Sequence, residues 1–169
     1  MIDGTCRGDC GHGFEEKTMR IVSVLATALL LALAGASATA QRPAPVTVDV
    51  YKSPTCGCCS KWVDHLREQK FTVRATDTDQ VEAIKTKHGV PTAVRSCHTA
   101  LVAGYVIEGH VPAADIQRLL KERPAVVGLA VGGMPVGSPG MEVPGRPADA
   151  YDVVSFDKNG RTAVFSSHR

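Results

Sequence analysis

The sequence predicts an α/β protein: a central mixed sheet flanked by helices, with a β extension toward its C-terminal end. Three observations predict it. Apolar residues alternate over residues 46 to 53, "VTVDVYKS", with Val46, Val48 and Val50 on one side, the period of a half-buried strand. Strand-like and helix-like segments then take turns along the chain, an order that joins parallel strands through helices. Finally, Cys56 and Cys59 frame a C-x-x-C where the first strand hands over to the first helix, and that motif beside such a pattern points to a dithiol scaffold.

Each element follows from its residues. Pro54 stops the first strand. "CCSKWVDHLREQK" places Trp62, Val63 and Leu66 on one helical face. "FTVRATD", from Phe71, reads as a second strand. Asp79 is the expected N-cap of the next helix, with Glu82 three residues on as in a capping box. That helix, "VEAIKTKH", carries Val81 and Ile84 inward, and Gly89 ends it. Two strands, "HTALV" and "YVIEG", then fold back on each other. Two places suit the turn, near His98 and at Ala103-Gly104, and the second is preferred for the permissive backbone of Gly104, although Ala103 is not ideal there. In that register opposed residues sum to 207, so Val102 faces Tyr105 and Cys97 faces His110. Groups so paired stand about 4.5 to 5.5 Å apart at Cβ. "PAADIQRLLKER" follows as a third helix, with Pro112 at its start and Ile116, Leu119 and Leu120 as its buried stripe. Strand-helix-strand-helix-strand-strand-helix is the thioredoxin-like order. Beyond it, "VVGLAV" reads as a strand. "YDVVSFDKNGRTAVFSS" reads as a hairpin turning at Asn159-Gly160, extending the sheet or covering one edge.

The chain has 169 residues with 44% hydrophobic content and a formal net charge of +2. One domain with a true core is expected. No run of like charge asks for a nucleic-acid partner. Residues 1 to 40 read as a signal peptide with an over-called start. Arg20 precedes an apolar stretch from Ile21 to Ala34, and Ala38-Thr39-Ala40 supplies the small-residue cleavage pattern. The apolar run is shorter than the ~20 residues of a spanning helix. The segment before Met19 is too polar for any apolar leader core, so translation is expected to start near Met19. Cys6, Cys10 and His12 are set aside as site residues. Residues 41 to 169 form the expected domain, in a periplasmic or exported location and with no membrane attachment once the signal is removed.

Four cysteines remain in that domain: Cys56, Cys58, Cys59 and Cys97. Export would place them where thiols pair, and three full pairings are open. Structural bridging fits poorly, because three thiols within four residues close almost no loop. Cys56, Cys58 and Cys59 open a helix, where N–H groups and the helix dipole favour thiolates. Thiolate binds soft metals and also attacks disulfides. In the usual thioredoxin-like layout a cis-proline lies beside the dithiol. Pro91 competes for that place, but the hairpin register puts Ser96, Cys97 and His98 there. Soft thiolates select Cu(I), zinc or iron–sulfur. Four sulfurs suit one tetrahedral zinc, yet adjacent Cys58 and Cys59 are accommodated more easily by bridging thiolates in a small Cu(I) cluster. Met134 and Met141, on the Gly- and Pro-rich loop "VGGMPVGSPGMEVPG", are candidate thioether ligands or apolar plugs. His110 is a candidate ligand through its place opposite Cys97. His98 is a weaker one, since strand alternation points it the other way.

The ordered motifs "YKSPTCGCCSKW", "SCHTALVAGYVIEGHVPA" and "GMPVGSPGME" resemble the CopG-like periplasmic copper-resistance proteins, a family formerly catalogued as a domain of unknown function. The resemblance runs from about Val46 to Glu142. It implies a thioredoxin-like fold that binds copper, as a multinuclear Cu(I) cluster, through Cys56, Cys58, Cys59 and Cys97. The expected partners are copper ions and other periplasmic copper-handling proteins. Zinc is the alternative metal. The rival function is a thiol–disulfide oxidoreductase using Cys56 and Cys59, so enzymatic activity is left open. His65, His88 and His168 are expected to be ordinary residues, Trp62 to be core, and Lys52 and Lys61 to be solvated charges.

Overall fold

The computed structural model describes residues 46–169. The leader reading, and with it Cys6, Cys10 and His12, lies outside the described residues. Among these, seven strands form one mixed sheet with three α-helices. Strand β1 is Thr47–Lys52, β2 Thr72–Asp77, β3 His98–Val102, β4 Tyr105–Glu108, β5 Gly128–Ala130, β6 Tyr151–Phe156 and β7 Thr162–His168. Helix α1 is Gly57–Glu68, α2 Val81–Lys87 and α3 Ala113–Glu122. The strand order is β2-β1-β3-β4-β5-β6-β7. Strands β1 and β2 are parallel, as are β4 and β5, and the other neighbours are antiparallel. The C-terminal strands therefore extend the sheet.

The alternation in β1 buries Val48, Val50 and Lys52 on one side of the sheet. That side is covered by Trp62, Val63 and Leu66 of α1 and by Ile116 and Leu119 of α3, which join Ala100, Val102, Ile107 and Leu129 in the main core. The opposite face holds a smaller cluster, Val90, Val94, Val106, Ala130 and Phe156. Successive strand residues face opposite sides, so Val106 and Ile107 enter different cores.

The β3–β4 hairpin has the expected register. Val102 pairs with Tyr105, Leu101 with Val106, Ala100 with Ile107 and Thr99 with Glu108. Ala103 at φ 47° and Gly104 at φ 89° make the two-residue turn, whose left-handed backbone matches the twist of the strands. One local expectation changes. The N-cap of α2 is Gln80, with no side-chain cap. The Thr78 hydroxyl accepts the Gln80 N–H at 3.1 Å, which leaves Asp79 outside that role. The last hairpin turns where expected, with Asn159-Gly160 inside the loop of residues 157 to 161. The Asp157 carboxylate accepts the Asn159 and Arg161 N–H groups at 2.8 and 3.0 Å, so an Asx-type wrap holds the loop. Helix α2 ends as expected. Gly89 at φ 70° lets the Gly89 N–H reach the Thr86 carbonyl and the Val90 N–H reach that of Lys85, a Schellman closure.

Candidate metal centre

Strand β1 runs into α1 through Ser53-Pro54-Thr55, and the Cys56 N–H donates to the Ser53 carbonyl at 3.1 Å. Cys56 is the N-cap of α1, so Cys58 and Cys59 occupy its first turn. The free N–H groups of a helix start favour negative charge there. Cys97 arrives from the other direction, immediately before β3. The sulfurs of Cys56, Cys58, Cys59 and Cys97 all lie within 4.8 Å of one another. Cys56 and Cys59 are joined in a disulfide, while Cys58 and Cys97 are free. The Cys58 sulfur is 3.5 Å from that of Cys56. Two of the three thiols expected as helix-start thiolates are thus held as a bridge.

Imidazoles form the opposite wall. The Cys97 sulfur is 3.0 Å from Nε2 of His110 and 3.3 Å from Nδ1 of His98. These three side chains form a second group with ligand atoms within 4.8 Å of one another. His98 lies on this side because Cys97 precedes the strand, so alternation along β3 does not separate the two. Its ring packs at 4.4 Å on Trp62 and edge-on at 5.1 Å to His110.

Hydrogen bonding assigns the protons. Nδ1 of His110 lies 2.8 Å from the Pro139 carbonyl. A carbonyl only accepts, so Nδ1 carries the proton and Nε2 faces Cys97 with a bare lone pair. The Cys97 S–H then donates to His110, with Nδ1 of His98 beside the same sulfur. Nε2 of His98 is fully buried with no partner. Burial holds both imidazoles below their ordinary pKa, and for His98 the neighbouring His110 and Lys85 add to the effect. Neutral imidazole is the ligating form. Burial, reinforced by the nearby Cys58, pushes the Cys97 thiol up to about 11. Metal capture at this sulfur must therefore displace a proton.

The segment from Gly132 to Glu142 closes over this wall as a strap. Its Pro139 carbonyl holds His110, and Gly140 (φ +85°) passes so close to α1 that a Cβ would stand 2.8 Å from the Cys58 oxygen and 2.8 Å from the Trp62 nitrogen. Both Glu142 carboxylate oxygens accept the Gly140 N–H, at 3.0 and 2.9 Å. Two free thiols, a disulfide whose reduction frees two more and two neutral imidazoles stand together, a donor set that suits a soft cation once the bridge is opened.

Comparison with known proteins now bears on this site. A family described as protein of unknown function, DUF411, matches residues 94–141. No curated protein matches the chain. The solved structure titled copper resistance protein CopG, form 2, is 44% identical. The match covers 75% of this chain and 100% of that one, with a TM-score of 0.71. Form 1 of the same protein is 45% identical over 74% of this chain and 98% of that one, with a TM-score of 0.70. The chain belongs to the CopG family. The strands and helices carry the remaining candidates to different places.

Met134 sits on the strap and is 55% exposed, while Met141 lies half-buried at its far end. Trp62 is core, as expected, and its indole N–H donates to the Val111 carbonyl at 2.9 Å. Lys61 is exposed. Lys52 is only 7% exposed, its head paired with Asp77 at 2.6 Å, because its stem lies along the inward face of β1. Three histidines expected to be idle divide. His88 is half-buried. Nε2 of His65 accepts the Ala113 N–H at 3.2 Å, satisfying the start of α3. Nε2 of His168 meets Asp115 at 2.9 Å, and its ring stacks on Tyr151 at 4.8 Å, pinning β7 to α3.

Sequence reasoning missed Lys85 and Glu108. Both are fully buried and form an ion pair at 2.7 Å on the far side of the sheet. The signal was present. Lys85 falls four residues after Val81 on the inward stripe of α2, and Glu108 ends an otherwise apolar central strand.

Proposed function

We propose that this protein is a periplasmic copper-resistance protein that captures Cu(I) as its cargo through Cys56, Cys58, Cys59 and Cys97. The carrying observation is the convergence of four sulfurs, remote in the chain, within 4.8 Å. The solved relatives are titled copper resistance proteins, which supports copper as the soft metal. The order β2-β1-β3-β4, with β1 parallel to β2 and antiparallel to β3, supports a thioredoxin-like core, and the leader reading supports export. Adjacent Cys58 and Cys59 suit bridging thiolates in a multinuclear Cu(I) cluster better than a single tetrahedral zinc. His110 and His98 would complete or orient the ligand set, with Met134 and Met141 as thioether donors from the strap.

The Cys56–Cys59 disulfide favours a second, compatible reading, in which copper handling is coupled to thiol redox. Four-thiolate capture requires two electrons into that bridge. An external dithiol supplies them: its two sulfurs join, the Cys56–Cys59 bond opens, and the two protons pass to the freed thiols. Oxidation of two Cu(I) to two Cu(II) supplies the same two electrons, with two protons taken from solvent.

Anaerobic Cu(I) titration of the reduced protein, followed by native mass spectrometry, tests the first reading. Cys58→Ser and Cys97→Ser are expected to lower the number of copper ions held. Full stoichiometry in both variants overturns the cluster. An insulin-reduction assay tests the thiol-exchange route of the second reading: vigorous turnover supports a thiol–disulfide enzyme, and its absence removes that route.

A further inference from the structure

Ser96, the residue before Cys97, is held from several directions. Its N–H donates to Oε1 of Glu108 at 2.6 Å. Its hydroxyl donates to the Gly133 carbonyl of the strap. Its side chain packs so tightly on Gly109 that a Cβ there would stand 2.5 Å from the Ser96 Cβ. Glu108 is fixed in turn. Lys85 Nζ donates to Oε1 at 2.7 Å, and the Thr99 hydroxyl donates to Oε2 at 2.7 Å while accepting from Lys85 at 3.1 Å. All three side chains are fully buried.

A buried ion pair is poor evidence for stability, because desolvation offsets its attraction and apolar replacements often fold as well or better. Its recognised uses are in setting register and geometry. Here the carboxylate ends its chain of contacts on the backbone that carries a ligand sulfur. The four sulfurs are useful only if Cys97 meets the α1 trio, and Cys97 belongs to neither α1 nor a regular strand. A fixed anchor one residue away sets where its sulfur lies.

We infer that Lys85, Thr99 and Glu108 form a positioning device, in which α2 on one face of the sheet holds the Ser96 backbone and so aims the Cys97 sulfur into the metal cleft on the other. This inference rests on the proposed copper function. Partners that orient metal ligands commonly contribute about 10- to 100-fold in affinity.

The test compares two double variants of the purified protein with the wild type. Lys85→Met with Glu108→Leu removes the ion pair and the acceptor for Ser96. Lys85→Met with Glu108→Gln removes the ion pair but keeps a carbonyl oxygen for that N–H. Thermal unfolding confirms folding. Cu(I) affinity is read by competition with a chromophoric chelator, and Cys97 exposure by its alkylation rate in the metal-free protein. The Leu pair is expected to bind Cu(I) about 10- to 100-fold more weakly and to alkylate faster at Cys97, with the Gln pair clearly less impaired than the Leu pair. A folded Leu pair with wild-type affinity and alkylation overturns the inference. So does a Gln pair as impaired as the Leu pair, since the acceptor kept for the Ser96 N–H then aims nothing. If the Leu pair does not fold, Thr99→Val takes its place: faster Cys97 alkylation supports the inference, and an unchanged rate overturns it. Failure of wild-type protein to bind Cu(I) would instead overturn the proposed function, while the alkylation comparison would still judge the positioning.

Discussion

The Cys97 sulfur lies 3.0 Å from Nε2 of His110, across the open end of the β3–β4 hairpin. The Pro139 carbonyl fixes the proton of that ring on Nδ1, leaving Nε2 free to accept or to ligate. His110→Ala removes this nitrogen and is expected to weaken Cu(I) binding by about 10- to 100-fold, whether it ligates or orients. A chelator competition titration measures it, and an unchanged affinity excludes His110 from the site.

The raised pKa of Cys97 makes a pH prediction. Burial favours the neutral thiol, moving it from 9.0 to about 11. Below pH 9 the thiol is protonated in both folded and unfolded chains and contributes fully. Between about 9 and 11 the unfolded chain releases its proton first, so stability falls as pH rises. Wild-type protein should therefore lose stability in that window more steeply than Cys97→Ser in urea titrations. Parallel slopes would show that the site does not disfavour the thiolate.

Gly140 allows the strap to reach α1. Gly140→Ala places a methyl group against the Cys58 carbonyl and the Trp62 nitrogen at a left-handed φ of +85°. A loss of about 1–3 kcal/mol is expected from strain and displacement. Alkylation of Cys58 should accelerate as the strap lifts. Unchanged denaturation and unchanged Cys58 reactivity would show that the strap does not seal the site.

Trp62 is the single tryptophan, and its ring lies 4.4 Å from His98. Its fluorescence is therefore expected to change as Cu(I) fills the cleft, saturating at the same ratio as the mass-spectrometric titration. Trp62→Phe keeps an aromatic ring but strands the Val111 carbonyl. A destabilisation of about 1–3 kcal/mol follows, from the unsatisfied acceptor and the lost packing. A signal that ignores copper would place the metal away from His98.

The sequence by itself determined the order of strands and helices, because alternation in β1 and the stripes of α1 and α3 are local patterns. It narrowed the hairpin turn to two places, and the structure chose Ala103-Gly104, which pairs Thr99 with Glu108 and brings Cys97 to His110. Only the tertiary structure decided which cysteines meet as a disulfide, which side of the sheet His98 joins, and that His65 and His168 bind backbone and carboxylate partners from distant segments. Lys85 and Glu108 belong there too. A buried charge is intelligible only beside its counter-charge, and theirs comes from 23 residues away across an interface that no local periodicity encodes.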